Sequence, residues 1–125
     1  VRRAGQSAAQ GYNVVIHEFA HVLDMADGLA DGVPLLPPAI NREHWCTLLD
    51  REYEAFAARV EREEPTALDP YGATAPEEFF AVASESFFVD PLAMRAEHAA
   101  LYELFRNYYG QDPVSDLPAK VLNRP

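Results

Sequence analysis

Cys46 is the only cysteine in the sequence. No disulfide can form within the chain, and zinc sites built on four cysteines, or on two cysteines and two histidines, are excluded. A single thiol suits a reducing compartment, and a cytoplasmic protein is expected. Basic residues are also few: ten Lys and Arg stand against twenty Asp and Glu, a net charge of −10. A compact chain this acidic repels phosphates rather than neutralising them, so direct nucleic-acid binding is not expected. No apolar run approaches the roughly 18–20 residues of a membrane span, and no membrane partner is expected. Arg2 and Arg3 open the chain without the apolar stretch of a secretory signal behind them. An initiator Met is missing too, which leads us to expect that the natural N-terminus has been removed.

What remains is 125 residues, 49% apolar and 24% charged, the size and balance of one globular domain. Residues 1–12 are small and polar and are expected to form a flexible arm. Asn13 is a plausible N-cap for a helix from Val14 to about Asp27, ended by Gly28. Leu29 to Ala39 holds Gly32, Pro34, Pro37 and Pro38 and must be irregular. Trp45, Leu48, Leu49, Tyr53, Phe56 and Val60 recur at helical spacing, predicting a second helix after Asn41 that stops before Pro65. A third helix begins near Pro76, an allowed first-turn residue. Asp90-Pro91 restarts the chain into a fourth, which carries Leu101, Leu104, Phe105 and Tyr108 and ends at Gly110. Residues 111–125, with three prolines, read as a loosely attached tail. No strand is evident. The expected fold is mainly α, a core of about four helices over residues 13–110.

His17-Glu18-Phe19-Ala20-His21 is an HExxH motif on the first of these helices. Residues four apart share a helix face, so His17 and His21 can offer nitrogens to one metal ion at about 2.0–2.1 Å. Glu18, rotated by roughly 100°, stands beside the open coordination position and can take a proton from water there. A catalytic zinc site needs a third protein ligand. His44 and His98 have charged neighbours and are expected at the surface. Glu78 and Glu85 sit seven apart on the apolar third helix, where an unpartnered carboxylate is unfavourable. Periodicity leaves either as the ligand. Asp24, on the ligand face of the first helix, either orients a ligand ring or caps nearby loop amides. Tyr71 either donates to a developing oxyanion or packs in a turn beside Gly72.

The run His17-Glu18-Phe19-Ala20-His21-Val22-Leu23-Asp24-Met25, with Asp27-Gly28 and Ala30-Asp31-Gly32 after it, resembles the Mlc titration factor A family. So do Tyr71-Gly72-Ala73-Thr74-Ala75-Pro76-Glu77-Glu78-Phe79-Phe80-Ala81-Val82, Ser84-Glu85 and Tyr109-Gly110-Gln111-Asp112-Pro113. The resemblance implies a gluzincin-like zinc metallopeptidase core, a cytoplasmic aminopeptidase with a peptide substrate. It also implies binding to an Mlc-like, glucose-regulating transcriptional repressor. Carried over by motif, His17, His21 and Glu78 hold one zinc ion per chain, Glu18 is the general base and Tyr71 steadies the transition state. Glu85 then becomes a residue that orients a ligand or supports the fold. Family members are about twice as long, and their N-terminal strands are missing here, so this chain looks like a C-terminal catalytic part. The first helix is apolar on more than one side through Val14, Val15, Phe19, Val22 and Leu23 and expects a second cover. An exposed apolar patch is therefore predicted there, open to a neighbouring molecule or to the Val1–Tyr12 arm. The non-enzymatic alternative is a regulatory binding module with a structural or vestigial metal.

Overall fold

The computed structural model describes the backbone of residues 7–29 and 31–117, with side chains described from residue 14 onward, residue 27 excepted. Among these residues there are five α-helices and no strand: α1 (Ser7–Asp24), α2 (Arg42–Glu61), α3 (Pro76–Val89), α4 (Pro91–Glu97) and α5 (Ala99–Tyr109). The mainly α expectation holds. No helix among the described residues is long and apolar enough to cross a membrane.

Helix α3 is the centre. Phe79 through Glu85, and Phe87, are all buried. A helix apolar around most of its circumference needs cover on several sides. It has that cover, from α1 on one flank and α2, α4 and α5 on the others. Trp45 from α2 stacks on Phe105 from α5 at 5.8 Å between ring centroids, and its indole N–H donates to the Gly32 carbonyl at 3.1 Å. That bond fixes the proline-rich segment between α1 and α2, which is irregular as its composition requires. Asn41 caps α2 by accepting from the His44 amide at 2.7 Å.

Four sequence expectations change. Helix α1 begins at Ser7, so Asn13 lies inside it rather than at its cap; Ala8 and Ala9 are strong helix formers that extend it backwards. Residues 1–6 of the expected arm lie outside the described residues. The expected fourth helix is two, because His98 leaves helical geometry at φ −134°, ψ 59°. His98 is also buried, not at the surface: its Nδ1–H donates to Glu52 at 2.6 Å, between the Phe56 and Phe79 rings. His44 is exposed as expected. Finally, the first part of the tail is anchored. The Tyr102 hydroxyl donates to Asp112 at 2.5 Å and accepts from the Val114 amide at 3.0 Å, and Val114 is buried. Residues 118–125 lie outside the described residues.

The predicted apolar patch on α1 is present. Val14, Val15, Phe19 and Val22 are each more than half exposed, as is Met25 beyond them, whereas Leu23 is partly buried against the core. Residues 7–12 do not fold over it; they continue the helix.

Candidate metal centre

Helix α1 lies along α3, with Ala20 at 1% exposure on the contact face. His17 and His21 flank that alanine, so the packing that buries Ala20 aims both rings at α3. Glu78 meets them from the first turn of α3. His17 Nε2 is 3.1 Å and His21 Nε2 3.2 Å from the same carboxylate oxygen, Glu78 Oε1. Tetrahedral ligand atoms bonded at about 2.0–2.1 Å lie roughly 3.3–3.4 Å apart, so the spacing fits three ligands of one small ion. One donor atom from each residue falls within 4.8 Å of the others. The chemistry fits as well: two neutral imidazoles and one carboxylate form a catalytic donor set that leaves a fourth position open. The three side chains are each about a fifth exposed, enough to admit water or a ligand from one side.

Two further candidates lie nearby, Glu18 in sequence and Tyr71 in space. Glu18 is exposed next to His17. Tyr71 is 53% exposed, its ring centroid 6.3 Å from that of His17. Tyr71 lies on a short 3-10 turn, Pro70–Ala73, which the Asp69 carboxylate caps by accepting from the Tyr71 amide at 2.9 Å. The turn is pressed onto α3 at Gly72, where a Cβ would come within 3.2 Å of Val82. Tyr53 donates to the Ala73 carbonyl at 3.0 Å. Tyr71 thus belongs to a packed turn and also lies beside the His17 ring.

Glu85, two turns along α3, reaches the far side of the His17 ring: Oε1 accepts from Nδ1 at 3.1 Å. This contact, then burial in opposition, then Glu78, hold the metal-free His17 above its ordinary pKa. Asp24 goes elsewhere. Fully buried, it accepts from the Gly32 amide at 2.8 Å and the Asp31 amide at 3.2 Å, the loop-capping alternative. Burial raises its pKa and the two amides pull it down. No hydrogen bond joins Asp24 to either histidine ring among the described residues. The sequence reading missed Gly32, whose amide binds Asp24 and whose carbonyl takes the Trp45 indole. Its place in an Asp-Gly pair after the helix was the available signal.

A family model described as glucose-regulated metallo-peptidase M90 matches residues 1–110. Among similar curated proteins is an uncharacterized protein of Synechocystis sp., 43% identical over 104 residues, which are 83% of this chain and 38% of that protein. The Mlc titration factor A of Edwardsiella ictaluri is 39% identical over 120 residues, 92% of this chain and 45% of the relative. That of Pectobacterium atrosepticum is 38% identical over 111 residues, 86% and 41% respectively. The chain spans less than half the length of these curated relatives. With the family model matching most of its length, the chain belongs to the glucose-regulated metallo-peptidase M90 family.

Proposed function

We propose that this chain is the catalytic part of a cytoplasmic zinc-dependent peptide hydrolase, of aminopeptidase type, with one zinc ion held by His17, His21 and Glu78. The observation that carries the reading is the convergence of both Nε2 atoms on one Glu78 oxygen at 3.1 and 3.2 Å. When bound, zinc supplies Lewis acidity to water and to a carbonyl oxygen. Glu18 takes the proton of the attacking water and passes it to the leaving amine; the exposure of its carboxylate, next to His17 in sequence, supports that role. The Tyr71 phenol, exposed beside the His17 ring, donates to the oxyanion that develops at the scissile carbonyl. The peptide itself needs a binding edge, and strands of the kind expected ahead of α1 supply one by strand addition. The chain alone therefore turns over peptides more slowly than a full-length relative.

The likeness to relatives named Mlc titration factor A supports a second role, binding an Mlc-like transcriptional repressor. The net charge of −10 favours a partner with a basic surface. In the alternative reading this is the whole function and the metal is structural. A Glu18→Gln variant separates the readings. Metal analysis is expected to find about one zinc per chain in both proteins, and chromogenic aminoacyl substrates to be cleaved only by the parent. Absence of zinc from the parent, or equal cleavage by the variant, overturns the hydrolase reading.

A further inference from the structure

The His17 ring is held at both nitrogens by one helix. Nε2 faces Glu78 Oε1 at 3.1 Å and Nδ1 faces Glu85 Oε1 at 3.1 Å. The two carboxylates are seven residues apart on α3, about 10.5 Å along its axis, and the ring spans the gap between their side chains. Glu85 is 7% exposed, in a stretch that is otherwise Phe79, Phe80, Ala81, Val82, Ala83, Ser84 and Phe87. A carboxylate in such a stretch is strongly unfavourable without a partner, and His17 is a partner. His21 shows no such arrangement: no described residue hydrogen-bonds its Nδ1. The two histidines of the motif are therefore held unequally.

We infer that Glu85 is the positioning residue of the metal centre: it fixes the tautomer and the plane of the His17 ring, making His17 the preorganised ligand. The inference rests on the metal reading proposed above. A carboxylate only accepts hydrogen bonds, so a ring nitrogen facing it must carry the proton. Nε2 also faces a carboxylate, but the Glu78 oxygen is itself a proposed ligand, so a bound ion takes the place of the Nε2 proton while Nδ1 keeps its own. The same bond stops rotation about the ring axis, and it increases the ring's donor strength. An outer partner of this kind typically carries 10–100-fold in metal affinity. A glutamine in its place keeps an acceptor oxygen without the charge, so it preserves the tautomer and the plane but loses part of the donor strength.

The test uses the 125-residue chain and zinc itself. Zinc dissociation constants are measured by competition with a chromophoric chelator for the parent, Glu85→Ala and Glu85→Gln, with urea unfolding of each metal-free protein alongside. The expected order is parent tightest, Glu85→Gln weaker by less than about tenfold, and Glu85→Ala weaker by about 10–100-fold. In the zinc-loaded parent, the ring-proton NMR spectrum should show a slowly exchanging His17 Nδ1–H, assigned by its loss in His17→Ala. That resonance persists in Glu85→Gln and disappears in Glu85→Ala. If the parent binds no zinc, the metal reading falls and this inference with it. If the parent binds zinc and Glu85→Ala binds it equally well, only the role of Glu85 is overturned. A loss of affinity in Glu85→Ala that Glu85→Gln does not rescue, with an unchanged Nδ1–H signal, also overturns it, since the carboxylate then acts through charge alone.

Discussion

Two glycines in the segment after α1 share a left-handed backbone and differ in their surroundings, and that difference sets up a controlled perturbation. Gly28 has φ +90° and open space where a Cβ would go. Gly32 has φ +84°, and a Cβ there would lie 3.0 Å from Leu49 Cδ2 and 3.0 Å from the Pro76 carbonyl oxygen. Alanine at either position meets about 1–2 kcal/mol of left-handed strain, offset by about 0.4–1 kcal/mol from a stiffer unfolded chain. Gly28→Ala should therefore lose about 1 kcal/mol or less. At Gly32 the neighbouring carbonyl belongs to the first residue of α3 and cannot rotate away. Overpacking of that kind adds about 1–3 kcal/mol, for a total loss of roughly 1–5 kcal/mol. The displaced residue, Pro76, is two before Glu78, so the same substitution shifts the carboxylate that faces both histidines. Urea unfolding of the metal-free proteins gives the stabilities, and zinc competition gives the affinities. Gly32→Ala should lose both, and Gly28→Ala should lose a little stability and keep its zinc affinity. Equal effects of the two substitutions would show that the segment is not seated against α3 as described, and the reasoning would fail.

In the chelated protein, the raised pKa of His17, caused first by Glu85 and then by Glu78 against burial, makes a charged ring stabilising. That contribution is fully present below the unfolded value of about 6.5 and is lost as pH rises through the folded value; urea midpoints should fall across this window, and less so in Glu85→Ala. A midpoint that rises with pH there contradicts the sign. Tyr102→Phe removes the hydroxyl that binds Asp112 and the Val114 amide, which should destabilise by about 1–3 kcal/mol and speed hydrogen exchange at Val114. Unchanged exchange would mean the tail is held by other contacts. Val15→Lys and Val22→Lys, each at residues 65% exposed, should change stability by less than about 0.5 kcal/mol, and a loss above about 2 kcal/mol would show that the strip is covered.

Helix α2 and the start of α3 were legible in the sequence because their signals are local: the Asn41 cap, the Pro76 start and a 3.6-residue apolar period. The pairing of His17 and His21 was legible for the same reason, since one helical turn brings the two imidazoles together. Glu78 and Glu85 could not be ranked by period, because seven residues bring both to one side of α3. Only the packing of α1 across α3 decides which of them meets Nε2 and which meets Nδ1. Asp24 was undecidable until the loop folded, since its partners are backbone amides at Asp31 and Gly32. His98 misled for the opposite reason. Its sequence neighbours Glu97 and Arg95 are charged, but its surroundings in space are Glu52 and Phe56 on α2 and Phe79 on α3. Nothing within a few residues of His98 reports on groups so distant along the chain.

The exposed apolar strip of α1 runs on either side of Glu18. Val14 and Val22 lie one turn before and one turn after Glu18, so on a helix the three stand in a row on a single face. Val15 and Met25 border that row, and all four apolar residues are more than half exposed. The Glu18 carboxylate, the proposed proton acceptor, therefore sits inside an apolar stripe, not on a polar rim. A polypeptide that covers Val14 and Val22 must pass over Glu18. Cover of the stripe and shelter of the carboxylate are then the same event. Shelter from water strengthens the electrostatic interactions within the site, the condition under which a fixed carboxylate and a fixed phenol act on developing charge most strongly. With the stripe open, Glu18 faces bulk solvent beside His17. On the proposed reading, metal binding would draw on His17, His21 and Glu78 at the α1–α3 contact, whereas proton transfer at Glu18 would need the cover as well. On that reading, metal affinity and turnover are separable, set by adjacent faces of the same helix.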